Sequence, residues 1–158
     1  MNVAPVQIRR GFSLVELIIV VVIIGIIGAI AIPKLSRGSQ AAADNALRGN
    51  LAVLRRAIEL YAAEHDNTFP KVDTIAEQLT QYSALDGTTA PTKGTPHIFG
   101  PYVKEIPALP VGAAKGSRGI AAAAGPGVGW IYDEATGSIR ANTTPLEKDD
   151  NNVAYSDY

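Results

Sequence analysis

The sequence predicts an α+β fold in which a long N-terminal helix packs on a small head with an antiparallel β-sheet. Three observations predict it: a long apolar run near the start, a helical stripe of apolar residues after it, and two β-like segments around a turn near the end. We divide the chain into a short basic leader (residues 1–11), an apolar helix half (12–35), an amphipathic helix half (36–67) and a loop-rich head (68–158).

The apolar run covers residues 12–32 and is interrupted by a single charged residue, Glu16. A helix rises about 1.5 Å per residue, so roughly 21 residues span about 30 Å, the thickness of a bilayer's hydrocarbon core. Arg9 and Arg10 favour a cytoplasmic N-terminal side, although Lys34 and Arg37 weaken the charge asymmetry. The run therefore predicts one membrane-spanning helix.

The residues after Pro33 form an amphipathic pattern that continues to about Asn67. Apolar residues recur at spacings of three and four, whereas most charged residues lie off this stripe. The stripe consists of Leu47, Leu51, Leu54, Ile58, Tyr61 and His65. Thr68, Phe69 and Pro70 end the pattern, because a residue before proline is disfavoured in the α region. The stripe predicts a helix with one face packed on the head.

The head combines a short helix, loops and a hairpin. Thr74 and Glu77 have capping-box spacing and predict a helix from about residue 74. Residues 86–129, rich in Gly, Pro, Thr and Ala, predict loops. The segments GWIYD and SIRAN around EATG predict a β-hairpin in which Gly137 has a positive φ. The acidic tail, residues 143–158, is predicted to be a surface segment.

Composition excludes several function classes. The net charge of −1 indicates no particular partner, but it becomes −3 without residues 1–11, which argues against a nucleic-acid partner. The lack of cysteine excludes disulfides and thiolate metal sites. His65 lies on the apolar stripe, where a core histidine is expected, and His97 lies in a loop; phosphate-loop and serine-nucleophile patterns are absent. We predict neither an enzyme nor a cofactor, and the alternative is calcium bound by the DDNN oxygens of residues 149–152.

The segment RRGFSLVELIIVVVIIGIIGAIAIPKL, residues 9–35, resembles the N-terminus of type IV prepilins and of the related type II secretion pseudopilins. The shared features are a basic leader ending in Gly11, then Phe12, Glu16, a spanning helix and Pro33. The resemblance implies that prepilin peptidase, a membrane aspartic peptidase, cuts between Gly11 and Phe12. The same enzyme is expected to methylate the new amine of Phe12.

The resemblance also implies partners and a location. Expected partners are further copies of the chain in a homopolymer, prepilin peptidase, an inner-membrane assembly platform with its ATPase, and minor pseudopilins. The chain lacks the cysteine pair that many type IV major pilins use, so it looks more like a major pseudopilin of type II secretion. That implies an inner-membrane protein with a cytoplasmic N-terminus, an external head and a periplasmic filament. The DDNN tail only loosely matches the acidic calcium loop reported for that group.

Glu16 has a physical role if Gly11 is removed. The new amine of Phe12 then lies one helical turn from Glu16, and a neighbouring subunit shifted by about a turn brings its own amine to this carboxylate. Charges buried among apolar helices are tolerated when paired, and removing one partner costs about 3 to 5 kcal/mol. Glu16 therefore favours one assembly register. The alternative is that Glu16 lies near the lipid headgroups without a role.

Pro33 is the third predicted assembly residue, because it cannot donate to the carbonyl of Ala29. Gly25 and Gly28 each weaken a helix by about 1 kcal/mol relative to alanine. Residues 25–33 are therefore predicted to be the weakest part of the helix, able to unwind in a fibre. Alternatively, the small residues let helices approach closely.

Other interpretations of the N-terminus lead to other functions. RRGFSL resembles a twin-arginine export signal, and AIA at residues 29–31 offers a signal-peptidase site that would release a domain starting at Ile32. A signal-anchored enzyme is a further alternative. Within the filament family, the alternative is a type IV pilus major or minor pilin serving adhesion, motility or DNA uptake.

Overall fold

The computed structural model describes residues 12–149 and 151–158, without the side chains of residues 31–37. The helices are α1 (Leu14–Glu64) and α2 (Ile75–Thr80), and a 3₁₀-helix covers Tyr155–Asp157. The strands are β1 (Tyr82–Ser83), β2 (Thr89–Ala90), β3 (Gly119–Ala121), β4 (Val128–Asp133) and β5 (Ser138–Ala141). The predicted α+β fold with a long N-terminal helix is confirmed.

The described chain divides after Ser39 into two compact units. The first holds the apolar part of α1, and the second, Gln40–Tyr158, holds the rest of α1 with the strands and α2. The backbone of α1 is helical at every residue from Leu14 to Glu64, position 33 included. The predicted leader, with Gly11, and the side chains of Ile32 and Pro33 lie outside the described residues. The boundaries predicted at residues 11, 35 and 67 stay predictions.

The predicted apolar stripe of α1 forms one wall of the core in the second unit. Its residues, Leu47, Leu51, Leu54, Ile58, Tyr61 and His65, are each at most 2% exposed. Burying one leucine or isoleucine side chain contributes about 1.5 to 3 kcal/mol. The rest of the core comes from another residue of α1, from α2, the sheet, the loop between β2 and β3, and the C-terminal 3₁₀-helix: Ala57, Ile75, Leu79, Ile106, Leu109, Val111, Trp130, Tyr132, Ile139, Ala141 and Tyr155. The stripe is thus confirmed, and it packs against residues from helical, strand and loop segments.

The C-terminus of α1 lies a few residues earlier than its sequence pattern predicts. The helix ends at Glu64, and Asp66 and Asn67 adopt left-handed φ values of 50° and 60°. Aspartate and asparagine tolerate this region better than most residues. The Asn67 N–H donates to the Ala62 carbonyl at 2.8 Å, which satisfies a carbonyl at the helix end.

The short helix predicted from residue 74 is present, but its predicted capping box is not. Thr74 is the N-cap residue of α2, yet its side chain makes no capping hydrogen bond. Its backbone (φ −126°, ψ 4°) lies outside the β region that N-cap residues usually adopt. Ile75 and Leu79, at 1% and 0% exposure, instead hold α2 through burial in the core.

The predicted hairpin is confirmed and belongs to a mixed sheet. Strands β4 and β5 pair antiparallel, with Trp130 opposite Ala141 and Tyr132 opposite Ile139 on the core face. Strand β3, inside the segment predicted as loops, pairs parallel to β4, so this sheet is not purely antiparallel. Strands β1 and β2 form a separate antiparallel pair.

Two glycines are required by the hairpin and its neighbours. Gly137 has the predicted positive φ, 69°, and a Cβ there would collide with the Phe69 ring. Gly129 in β4 is buried, and a Cβ on it would collide with the Ser117 carbonyl. At Gly137 the left-handed turn is itself unfavourable for a residue with a Cβ.

The prediction of a surface tail is wrong for part of residues 143–158. Asp149, Ala154 and Tyr155 are buried, at 7%, 9% and 3% exposure, although Leu146 is 90% exposed. The physical reason is pairing with α1: the buried polar groups of the tail meet polar groups on the helix, which removes the cost of burying them. We name residues 147–149 and 151–158 the closing segment.

Candidate functional site

The described residues contain no cluster of side chains typical of metal binding. Within residues 12–149 and 151–158, no group of three or more His, Cys, Asp or Glu side chains could hold a metal ion. His65 is a core residue, as predicted: it is 1% exposed, its Nδ1 lies 2.8 Å from the Tyr61 carbonyl oxygen, and its ring stacks on Tyr61. The sites that remain are the start of α1 and the closing segment.

The start of α1 is organised by a variant of the capping box that sequence reasoning missed, in which the Ser13 hydroxyl accepts from the N–H of Val15 instead of that of Glu16. The Ser13 N–H donates to Oε2 of Glu16 at 2.9 Å, and the Val15 N–H donates to the Ser13 hydroxyl at 3.3 Å. The Leu17 N–H donates to the Ser13 carbonyl at 3.2 Å. Serine followed three residues later by glutamate, directly before an apolar run, is the sequence signal for this arrangement. Glu16 therefore has a local structural role in the single subunit.

A negative charge at this position also suits the helix dipole. Glu16 lies in the first turn of α1, where the unpaired N–H groups carry partial positive charge. An ionised carboxylate has about four lone-pair sites, so the bond from Ser13 leaves capacity for another donor. The geometry thus allows Glu16 to cap its own helix and to accept from a second donor.

The predicted processing and assembly residues are described only in part. Phe12 is 78% exposed and precedes the capping box, so its backbone and Glu16 lie at the same end of α1. Gly11 and the Pro33 side chain lie outside the described residues. The predicted roles of Gly11, Phe12, Glu16 and Pro33 in cleavage and assembly stay predictions.

The apolar side chains of the first unit are exposed around the whole helix. Large apolar side chains between residues 12 and 30 are 47% to 78% exposed. They include Leu14, Val15, Leu17, Ile18, Ile19, Val21, Ile23, Ile24, Ile26, Ile27 and Ile30. An exposed apolar surface this large is typical of a segment that meets a membrane or another protein.

Across the described part of the chain, no helix carries an apolar stretch long enough to cross a membrane.

The closing segment is held on α1 by a network around Asp149. The Asp149 side chain is fully buried, and its Oδ2 lies 3.0 Å from Nη2 of Arg48. The Tyr158 hydroxyl donates to the same oxygen, and Arg48 donates to the Tyr158 hydroxyl at 2.7 Å. The Arg48 guanidinium also lies 4.8 Å from the centre of the Tyr158 ring. Arg48 of α1 therefore forms one polar cluster with two side chains of the closing segment, Asp149 and Tyr158.

A second contact lies beside this cluster. The Tyr155 hydroxyl donates to Asp44 at 2.7 Å and accepts from Gln40 at 2.5 Å. Burial, together with the hydrogen bond to Asp44, raises the pKa of Tyr155. Gln40, Asp44 and Arg48 are spaced four residues apart and therefore share one face of α1. The closing segment thus docks along a polar edge of the helix, next to the apolar stripe.

The electrostatics of Asp149 reflect these donors. Hydrogen bonds, first the one from Tyr158 and then those from Val153 and Asn151, lower the pKa of Asp149 to about 2, against the opposing effect of desolvation. The pKa of Arg48 is raised, chiefly by its hydrogen bond to Tyr158. Both groups are therefore charged at neutral pH.

Comparison with known proteins agrees with the N-terminal pattern. Residues 7–32 match the family described as "Prokaryotic N-terminal methylation motif". The type II secretion system core protein G of Escherichia coli K12 is 26% identical over 104 residues, covering 66% of this chain and 68% of that protein. Its counterpart from Vibrio cholerae O1 is 29% identical over 106 residues, covering 66% of each chain.

A competence protein gives a match of similar strength over a shorter region. Competence protein ComGC of Halalkalibacterium halodurans is 27% identical over 74 residues, covering 47% of this chain and 72% of that protein. No solved structure gives a significant match.

Proposed function

We propose, taking the chain as a pseudopilin-family protein, that it is the major pseudopilin of a type II secretion system. The observation that carries the proposal is the match of residues 7–32 to the methylation motif, on a helix that exposes its apolar side chains and begins with Glu16. The core protein G relatives support secretion as the system. The role is structural rather than catalytic.

The proposed maturation begins with cleavage between Gly11 and Phe12 by prepilin peptidase at the cytoplasmic face of the inner membrane. Residues 12–32 anchor the subunit before assembly, with the second unit outside the cytoplasm. Methylation of the Phe12 amine follows. The subunit then leaves the bilayer through an assembly platform driven by an ATPase and joins a periplasmic filament capped by minor pseudopilins.

The proposed assembly contact uses the geometry at the start of α1. In the single subunit, Glu16 already accepts from Ser13 at 2.9 Å, so its carboxylate is fixed at the helix end. In the proposed filament, a neighbour's Phe12 amine donates to the remaining lone pairs of that carboxylate. Cap and ion pair are compatible, and neither requires the other to break.

Filament recovery in the native host tests this function. Shearing of cells that overproduce the chain should release filaments visible by electron microscopy, and deletion of the gene should retain exported enzymes inside the cell. Restored secretion on complementation is the expected result. A sheared fraction without filaments and unchanged secretion would contradict the proposal.

A second candidate function is a competence or type IV pilus subunit, favoured by the match to ComGC. The genes that flank this one separate the two. A secretin with several minor pseudopilins supports secretion, whereas a retraction ATPase or a DNA-uptake channel supports the pilus. Loss of DNA uptake, with secretion intact, would establish the second function.

A further inference from the structure

The closing segment contains the stretch of the chain in which a calcium site is expected. The family resemblance raises the expectation of calcium in an acidic loop, and residues 149–152 (DDNN) are the matching stretch. Calcium takes six to eight oxygen ligands, which a loop supplies from carboxylates, amide oxygens and backbone carbonyls. The described residues of this stretch are Asp149, Asn151 and Asn152, and Asp150 lies outside the described residues.

Both carboxylate oxygens of Asp149 already face hydrogen-bond donors. Oδ1 accepts from the Asn151 N–H at 2.9 Å and the Val153 N–H at 2.8 Å. Oδ2 accepts from Arg48 at 3.0 Å, from the Tyr158 hydroxyl, and from the Asn151 amide at 3.3 Å. Five donors thus meet a group with about four lone-pair sites. N–H donors cannot act as ligands of a cation, so calcium would have to displace them.

A second potential ligand of the stretch is also engaged by a cation. The side-chain oxygen of Asn152 accepts from the Lys148 ammonium at 3.2 Å. The backbone turns inward here, because the Asn152 N–H donates to the Asp149 carbonyl and the Asp149 N–H donates to the Val153 carbonyl. The loop is therefore closed around one carboxylate by its own backbone. The described residues do not fit a calcium site.

We infer that Arg48 takes the place of a metal cation at Asp149, so that the closing segment docks on α1 without a divalent ion. The charge comes from the helix rather than from solution: Arg48 lies on α1, 101 residues from Asp149. Its guanidinium balances the buried carboxylate, and Tyr158 bridges the two groups. A buried carboxylate needs such a partner, because an unpaired buried charge is strongly destabilising.

Thermal unfolding of the full chain in detergent micelles tests the inference, followed by the fluorescence of buried Trp130. A ligand that binds the folded state alone raises the unfolding midpoint as its concentration rises. The midpoint should be the same in excess EGTA, in magnesium and in calcium well above about 1 mM, the weak end of protein calcium affinities. A midpoint that rises with calcium and falls with EGTA would overturn the inference.

Variants of Arg48 test whether this residue supplies the charge that balances Asp149. Arg48→Gln should lower the midpoint by several degrees and expose the closing segment to protease, with a new cleavage near residues 147–158. Arg48→Lys should have an unfolding midpoint between those of the unchanged protein and of Arg48→Gln, because lysine keeps the charge but lacks the planar guanidinium. Arg56→Gln, at an exposed arginine on the same helix, is the matched control and should change neither measure. Equal behaviour of Arg48→Gln and Arg56→Gln would show that Arg48 is not the balancing charge.

Discussion

Glu16→Gln separates the two roles of Glu16: the cap that the structure shows at the start of α1, and the proposed pairing with a neighbour's Phe12 amine. Glutamine can occupy the last position of a capping box, so its side-chain oxygen can still accept from the Ser13 N–H as Oε2 does at 2.9 Å. It carries no charge, so it cannot neutralise the Phe12 amine of a neighbour. Glu16→Ala removes both the cap and the charge, and Glu16→Asp keeps the charge on a shorter side chain.

The expected magnitudes differ enough to decide between the roles. Loss of one hydrogen bond at the helix end costs about 0.5 to 1.5 kcal/mol, which changes an association constant by about tenfold at most. Leaving a buried amine unpaired costs about 3 to 5 kcal/mol, or roughly a hundredfold to several thousandfold. If pairing dominates, Glu16→Gln and Glu16→Ala should both abolish filaments, and Glu16→Asp should give an intermediate yield.

The assay compares sheared filament with membrane-bound subunit by immunoblot in the same cells. All three variants should keep Gly11 cleavage and membrane association, because the substitutions leave the cut site and the apolar run unchanged. A small proportion of variant subunits should still enter wild-type filaments, since one variant leaves a single amine unpaired. Wild-type filament yield from Glu16→Gln would refute the pairing argument, and failure of Glu16→Ala alone would assign the effect to the cap.

Three further predictions concern the second unit. Leu54→Ala should lower the free energy of unfolding by about 2 to 5 kcal/mol because Leu54 is fully buried, whereas Val53→Ala, at a residue 51% exposed, should change it by less than about 0.5 kcal/mol; denaturant titration measures both. A chain shortened to begin at Ser36 should be a folded monomer by circular dichroism and size exclusion, because it retains the buried stripe and sheet, and an unfolded spectrum would contradict the proposed core. Hydrogen bonds, first from Tyr158, lower the pKa of Asp149 in the folded state to about 2 from its ordinary 3.8. The contribution of Asp149 to stability is therefore present above about pH 4 and is lost as the pH falls toward 2. Proteolysis across that pH range should release the closing segment first, and Asp149→Asn should remove this pH dependence.

The elements that could be predicted are those whose signals are local. Leu47 to His65 recur with helical spacing, and the hairpin around EATG carries β-rich arms and a glycine where the turn needs one. The capping arrangement of Ser13 and Glu16 is equally local, but an acid in an apolar run is also typical of an assembly contact, so its presence alone does not identify the cap. Thr74 and Glu77 had the same spacing without forming the box, so spacing alone does not decide.

The remaining features depend on contacts between distant parts of the chain. Strand β3 has three residues and joins β4 by backbone pairing, so no side-chain alternation marks it. The acidic composition of the tail is typical of a solvated segment. Asp149 is nevertheless buried, because it pairs with Arg48, about a hundred residues earlier in the chain. A single sequence cannot show which of its arginines balances that carboxylate.

Intact-mass measurement of the protein in sheared filaments tests the central claim most directly. The subunit should lack residues 1–11, begin at Phe12 and carry one added methyl group, and Gly11→Asp should yield only uncut protein that stays in the membrane fraction. A mass that corresponds to an N-terminus at Met1 or at Ile32 would contradict the account, because neither form places an amine beside Glu16.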